Sequence, residues 1–277
     1  MDFNYLTNIA IEAARSAGEI IKQNYTIDVV VEEKKGGSGY ASQVVTKIDR
    51  ECENLIFSYL KPTCQKFDIA LLSEETQDDG SRFEKDFFWC IDPLDGTLPF
   101  INKKPGFSVS IALVRKDGTP QIGVVFDPST NNLYTSIKGK GAHKNGKTWK
   151  VKNQNNYLTY VTDKTLANTL NTSDIQKILE KYKSTLKLNR IKEISGAGAV
   201  LNAILVIENG PAVFIKLPKK ENGGGSLWDF AATACIFNEL QFTATNFNGH
   251  KLDLNRREST FMNHEGIFYS NLIDKKV

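Results

Sequence analysis

The chain has 277 residues, of which 40% are hydrophobic and 24% are charged, and its formal net charge is +3. These values are ordinary for a globular protein, and so weak a positive charge argues against a nucleic-acid polymer as partner. No apolar run reaches the ~18 residues of a membrane span, and the N-terminal residues do not resemble a signal peptide. The four scattered cysteines are typical of reduced thiols, so we expect a cytoplasmic protein that binds no membrane.

The N-terminal half predicts helices followed by a meander of strands. Residues 4–24 have the apolar spacing of an amphipathic helix. The polar, glycine-rich stretch 32–39 is either a connector or a mobile flap over a site. Thr46 and Asp49 fit a capping box at the start of a second helix, which we expect to end at Pro62. Three strands follow in an antiparallel meander, at 107–113, 121–126 and 133–136.

After about residue 150 the sequence pattern changes from a meander of strands to strands that alternate with helices. The patterns predict strands at 158–162, 187–191 and 212–217, and helices at 173–183, 199–208 and 226–240. We therefore predict a mixed α/β fold in two halves, residues 1–150 and 151–277, with a boundary near 145–155.

The most informative stretch is an apolar strand, 87–91, that leads into Asp92-Pro93-Leu94-Asp95-Gly96-Thr97. Pro93 should take the chain off the strand ladder, so that both acids project into one cleft. Two such carboxylates repel each other unless a cation lies between them, and oxygen ligands suit Mg²⁺ or Mn²⁺. Backbone N–H groups of Gly96 and Thr97 could hold a phosphate. Taken alone, the stretch also fits an ordinary acidic turn.

Three further acidic elements each allow two interpretations. Asp49 and Asp229 are either site residues or the third residues of helix capping boxes, the second with Ser226 as its N-cap. Glu74 and Glu75 follow an apolar strand at 69–72 and are either site residues or surface acids.

Together the motifs resemble one family. Their order is Val45-Thr46-x-x-Asp49, Glu74-Glu75, Asp92-Pro93-Leu94-Asp95-Gly96-Thr97 and Trp228-Asp229, and this resembles the inositol monophosphatase-like superfamily. That superfamily includes 3′(2′),5′-bisphosphate nucleotidases of the CysQ type and fructose-1,6-bisphosphatases. The resemblance covers residues 4 to about 270 and implies a layered α-β-α-β-α sandwich. It also implies a lithium-sensitive, Mg²⁺-dependent phosphomonoesterase that forms a homodimer.

The resemblance assigns roles to individual residues. The implied ligands of two or three Mg²⁺ ions, or of Mn²⁺, are Glu74, Asp92, the Leu94 carbonyl, Asp95 and Asp229, with Glu75 at a weaker site. The implied catalytic residues are Asp49, Thr97 and Glu74, of which Asp49 and Thr97 orient the attacking water. Gly96 and Thr97 would hold the phosphate.

The chain departs from the family around the substrate. Leu98-Pro99-Phe100 follows the Gly-Thr pair, Glu239-Leu240-Gln241 replaces a glycine pair, and 216–225 is long and basic. In that segment Lys216, Lys219 and Asn222 are candidate substrate contacts, although a flexible basic loop is an equal reading. The predicted substrate is a small phosphate monoester, either inositol monophosphate or 3′-phosphoadenosine 5′-phosphate. The alternatives are a fructose-1,6-bisphosphatase-like sugar phosphatase and a non-catalytic regulator that binds phosphorylated ligands.

Overall fold

The computed structural model describes residues 1–25, 31–33, 44–152, 155–163 and 172–272. The helices are α1 (Phe3–Asn24), α2 (Lys47–Phe67), a 3₁₀ turn (Ser81–Phe83), α3 (Thr97–Ile101), α4 (Thr172–Thr185), α5 (Ala199–Glu208) and α6 (Leu227–Glu239). The strands are β1 (Val31–Glu33), β2 (Val44–Thr46), β3 (Ile69–Ser73), β4 (Phe87–Asp95), β5 (Ser108–Arg115), β6 (Pro120–Asp127), β7 (Asn132–Ile137), β8 (Ala142–Lys144), β9 (Lys147–Thr148), β10 (Leu158–Thr162), β11 (Ile191–Ser195), β12 (Ala212–Lys216), β13 (Thr243–Thr245) and β14 (Ile267–Ser270).

Two large sheets form the frame of the fold. The first has seven strands in the order β3-β4-β5-β6-β7-β8-β9, with β3 parallel to β4 and the rest antiparallel, so the predicted meander is confirmed. The second has five strands in the order β11-β10-β12-β14-β13, of which β11, β10 and β12 are parallel. The short pair β1-β2 is separate from both sheets.

Helices cover both sheets and fill the space between them. One apolar core joins α1 and α2 to the outer face of the seven-stranded sheet. A second core packs α5 and α6 between the two sheets. A third packs α4 on the outer face of the five-stranded sheet. The layers are therefore helix, sheet, helix, sheet and helix, which confirms the expected α-β-α-β-α sandwich.

The prediction that Pro93 ends the ladder of β4 was wrong. The strand runs on to Asp95, and its pairing with β5 passes from Asp92 opposite Ser110 to Asp95 opposite Ser108. Pro93 and Leu94 thus form a bulge. Side chains of a regular strand alternate between faces, so two acids three residues apart would point to opposite sides. The bulge removes that conflict and turns both acids toward the layer that holds α5 and α6.

Two predicted boundaries were also wrong. Helix α2 continues through Pro62 to Phe67. Its last turn is held by Thr63, which is buried and accepts a hydrogen bond of 3.0 Å from the Trp89 indole. The strand predicted at 187–191 lies at Ile191–Ser195 instead. This edge strand has no buried residue, so its sequence carries no apolar pattern.

Some predictions concern residues outside the described ranges, or a division that the structure does not test. Residues 34–39 of the predicted flap lie outside the described residues, as does most of the connection from α1 to β2. The division into halves at residue 150 stays a prediction, although the strands of the first sheet end at Thr148 and those of the second begin at Leu158. No described helix is long and apolar enough to cross a membrane.

Candidate metal centre

Three carboxylates converge at the ends of two elements. Asp92 and Asp95 come from the last residues of β4, and Asp229 comes from the first turn of α6. One oxygen from each lies within 4.8 Å of the others. Asp92 and Asp95 are buried, and Asp229 is half-buried. Oxygen donors at this spacing match the ligand type that Mg²⁺ and Mn²⁺ prefer.

Asp95 is fixed by the N-terminus of α5. Its two carboxylate oxygens accept hydrogen bonds of 3.0 Å from the backbone N–H groups of Ala199 and Val200. A helix N-terminus favours an anion, so α5 holds this carboxylate without neutralising it. Gly198 makes the approach possible, since a Cβ at that position would lie 2.2 Å from Asp95 Oδ2. Sequence reasoning missed Gly198, because its partner is about a hundred residues away.

The structure places Asp229 both in a capping box and among the convergent carboxylates. Its Oδ2 accepts a hydrogen bond from the Ser226 N–H in a capping box, and one of its carboxylate oxygens lies within 4.8 Å of oxygens of Asp92 and Asp95. The first turn of α6 is tied to the seven-stranded sheet by Ser110, whose hydroxyl donates to the Trp228 carbonyl over 3.1 Å. Ser110 is the cross-strand partner of Asp92, so this bond sets the spacing between Asp92 and Asp229.

Burial and mutual repulsion raise the pKa values of all three aspartates. Burial, followed by the charges of Glu74 and Asp95, holds the pKa of Asp92 well above its usual range. Burial and the charge of Asp229 do the same to the pKa of Asp95. Burial and the charge of Glu74 raise the pKa of Asp229 to about 6. A divalent cation would remove this repulsion, so the donor set and its charge both fit a metal ion.

Glu74 and Glu75 lie at the end of β3, beside the aspartates. The N–H of Glu74 donates to the Ile91 carbonyl over 3.2 Å, which extends the β3–β4 ladder as far as Asp92. Both side chains are half-buried, and the charge of Glu74 raises the pKa of Asp92 and of Asp229. Among the described acids the convergent group contains neither of them.

Asp49 is buried in the first turn of α2, and its charge is a minor cause of the raised pKa of Asp92. Glu53, one turn later, is buried too and accepts a hydrogen bond of 2.8 Å from the Thr76 hydroxyl. This bond ties the turn that carries Glu74 and Glu75 to the helix that carries Asp49. Sequence reasoning missed Glu53, although its four-residue spacing from Asp49 was a usable signal.

The Gly-Thr pair turns the chain away from β4. Gly96 has φ +81°, and a Cβ there would lie 2.5 Å from the Gly106 carbonyl oxygen. The Thr97 hydroxyl donates to the Leu94 carbonyl over 3.2 Å, which leaves its oxygen free to accept a further hydrogen bond. Thr97 is therefore placed next to the bulge that separates the two aspartates.

The three candidate substrate residues differ in their surroundings. Lys216, at the end of β12, is buried, and its ammonium group lies 2.7 Å from Asp163 Oδ2 and 2.7 Å from the Gly224 carbonyl oxygen. Asp163 also accepts a 2.8 Å hydrogen bond from Asn202 of α5. Lys219 and Asn222 are exposed. The reading of a flexible basic loop does not fit Lys216, because it belongs to a strand. Sequence reasoning missed Asp163 and Asn202.

Comparison with known proteins agrees with this fold. Residues 2–274 match the inositol monophosphatase family. Inositol monophosphatase 3 of Solanum lycopersicum is 32% identical over 256 residues, which are 90% of this chain and 89% of that protein. The solved structure of an IMPase from Thermotoga maritima superposes with a TM-score of 0.72 at 25% identity, over 95% of this chain and 91% of that one. The chain belongs to the inositol monophosphatase family.

A second relative has a different kind of name. The Nus factor SuhB of Escherichia coli is 39% identical over 142 residues, which are 51% of this chain and 50% of that protein. The match thus spans about half the length of that relative.

Proposed function

We propose that the protein is a Mg²⁺-dependent, lithium-sensitive phosphomonoesterase that acts on a small phosphorylated metabolite in the cytoplasm. The observation that carries the proposal is the convergence of Asp92, Asp95 and Asp229 within 4.8 Å, with raised pKa values that call for a cation. Membership of the inositol monophosphatase family supports the reaction class.

In this proposal the metal ligands are Glu74, Asp92, the Leu94 carbonyl, Asp95 and Asp229, with Glu75 at a weaker site. Two or three Mg²⁺ ions, or Mn²⁺ in their place, would supply charge neutralisation for the phosphoryl group and activation of a water molecule. The buried carboxylates keep the geometry of the site because backbone N–H groups hold them.

The remaining catalytic groups orient the water and the phosphate. The Thr97 hydroxyl donates its hydrogen to the Leu94 carbonyl, so its oxygen can accept a hydrogen bond from the attacking water. Asp49, with Glu74, is the second acceptor for that water. The N–H groups of Gly96 and Thr97 hold the phosphate, and Lys216, Lys219 and Asn222 lie on the leaving-group side. The proposed substrates are inositol monophosphate and 3′-phosphoadenosine 5′-phosphate.

The test is release of phosphate from inositol 1-phosphate, 3′-phosphoadenosine 5′-phosphate, fructose 1,6-bisphosphate and p-nitrophenyl phosphate. Each is measured with Mg²⁺, with EDTA, and with Mg²⁺ plus lithium. We expect turnover that needs Mg²⁺ and that lithium inhibits, and none in Asp92→Asn. Preference for fructose 1,6-bisphosphate would assign the sugar-phosphatase alternative. Equal turnover in EDTA would contradict the metal role.

The second candidate is a non-catalytic regulator that binds phosphorylated ligands. It is favoured by the similarity to a relative named as a Nus factor. Binding of these esters without phosphate release in Mg²⁺ would support it. We propose a homodimer for either function, and light scattering of the purified protein measures the assembly directly.

A further inference from the structure

A cavity of about 900 Å³ opens beside the candidate metal centre. It lies where β10 and β12 end and is covered on one side by α4. Its wall includes apolar side chains of α4 and β10 and basic side chains at the end of β12 and in the segment that follows it: Tyr160, Ile175, Leu179, Lys216 and Lys219. None of the three convergent aspartates belongs to this wall.

The cavity and the aspartates are nevertheless neighbours. Gly224 lines the cavity and accepts a hydrogen bond from Lys216, which also lines it. The next residue, Gly225, lies next to the metal centre, since a Cβ added there would be 3.3 Å from Asp229 Oδ2. A single glycine therefore separates the cavity wall from a carboxylate of the site.

The size of the cavity exceeds what a single ring requires. Its volume lies near the upper end of the ~300–1,000 Å³ range of small-molecule pockets. The apolar part of the wall is built from Tyr160, Ile175 and Leu179, which are at least nine-tenths buried. An apolar wall of this kind suits the face of a planar ring better than it suits a polyhydroxylated sugar or cyclitol.

Two basic side chains of the cavity wall could bind an anion, Arg190 and Lys219. Lys216 is paired with Asp163, and Lys183 is paired with Glu180. Arg190 also lines the cavity without an ion pair to a carboxylate of the described residues, and its guanidinium lies over the Tyr157 ring at 5.3 Å. Lys219 has no carboxylate partner among the described residues either, and it lies beside Gly224, on the side of the cavity nearest the metal centre. Its backbone is fixed to Asn263, to which it donates over 2.9 Å and from which it accepts over 3.0 Å. Its ammonium nitrogen lies 3.6 Å from the position of a Cβ on Gly224.

We propose that this cavity receives the leaving group of the substrate, and that this leaving group is a nucleoside carrying a second phosphate; the proposal rests on the proposed phosphatase function. The ring packs against Ile175 and Leu179, and the second phosphate binds Lys219. Of the two candidate substrates, the cavity selects 3′-phosphoadenosine 5′-phosphate, whose leaving group is adenosine 5′-phosphate.

The first experiment compares two esters that differ only in the second phosphate. The selectivity is the ratio of kcat/KM for 3′-phosphoadenosine 5′-phosphate to that for adenosine 3′-phosphate, in Mg²⁺. In Lys219→Gln we expect this ratio to fall about tenfold or more, as for the loss of a charged hydrogen bond. The matched control is Lys220→Gln, which removes an exposed charge from the next residue, outside the cavity wall. An unchanged ratio in Lys219→Gln, or an equal fall in the control, overturns the proposal.

The second experiment needs no catalysis. Titration calorimetry with adenosine 5′-phosphate, the leaving group itself, measures binding to the wild-type protein and to both variants. We expect a Kd about tenfold higher in Lys219→Gln alone. Absence of binding to the wild-type protein overturns the cavity assignment even if p-nitrophenyl phosphate is hydrolysed in Mg²⁺. Binding without hydrolysis of any ester refutes the proposed phosphatase function and leaves the nucleotide site standing.

Discussion

Replacing Asp229 with Asn should stabilise the metal-free protein while it abolishes activity. The site raises the pKa of Asp229 from 3.8 to about 6, so the folded state holds this proton more tightly than the unfolded chain does. Because its pKa is higher in the folded state, Asp229 destabilises the fold progressively as the pH rises from about 4 to beyond 6. At about 1.4 kcal/mol per pKa unit, the cost at pH 7.5 is about 3 kcal/mol, and at pH 5 it is about half of that.

Part of this gain is offset at the helix cap. An Asn side chain can still accept from the Ser226 N–H, but the loss of a negative charge at the helix N-terminus costs about 1 kcal/mol. The expected net stabilisation is therefore about 2 kcal/mol at pH 7.5 and less than about 1 kcal/mol at pH 5. Urea unfolding in EDTA at these two pH values measures both numbers.

The control for this prediction is Asp174→Asn. Asp174 is also an acid in the first turn of a helix, but it is exposed on α4. We expect no stabilisation from that change at either pH. The reasoning is refuted if Asp229→Asn destabilises the protein at pH 7.5, or if its gain is the same at both pH values. Added Mg²⁺ should stabilise the wild-type protein more than the variant, because the variant has lost a ligand.

Three further predictions concern the site. Asp92→Asn should abolish turnover and leave the fold intact, as measured by phosphate release and by circular dichroism; activity near the wild-type level would remove Asp92 from the ligands. Thr97→Ala should lower kcat about 10²-fold, and Thr97→Ser should restore most of it, because only the hydroxyl orients the water. Gly198→Ala places a Cβ 2.2 Å from Asp95 Oδ2, so it should cost about 1–3 kcal/mol of stability and weaken Mg²⁺ binding measured by calorimetry. An unperturbed Mg²⁺ affinity in that variant would show that Asp95 does not need its bonds to α5.

The sequence predicted the aspartates of β4 because their signal is local. An apolar strand that ends in two acids and a Gly-Thr turn carries its meaning within eleven residues, from Phe87 to Thr97. Most helices and strands were predictable too, because they have regular apolar spacing, whereas the layered sandwich was predicted only from the family resemblance. Two boundaries were misplaced, and for different reasons. The strand at Ile191–Ser195 has no buried residue and so no apolar pattern. Pro62 is tolerated because tertiary contacts of Thr63 hold the last turn of α2, and propensity alone does not contain such contacts.

What the sequence could not give is the support around the aspartates. Gly198 is unremarkable until the chain brings it against Asp95, and its φ of −65° gives no backbone signal either. The pair of Lys216 and Asp163 joins two parallel strands, and nothing in either segment predicts the other. Such contacts follow from the packing of α5 between the sheets, so only the three-dimensional arrangement reveals them.

The way in which the aspartates are held explains why the site can be both stable and available for a cation. Each carboxylate accepts hydrogen bonds from backbone N–H groups: Asp92 from Leu94, Asp95 from the start of α5, and Asp229 from its N-cap. No ion pair among the described residues involves any of the three. A lysine or arginine in direct contact would fix the geometry equally well, but it would also supply the positive charge that the metal must bring. Backbone donors orient an anion and leave its charge in place. The repulsion that remains lowers the stability of the metal-free protein, and its relief contributes directly to metal affinity.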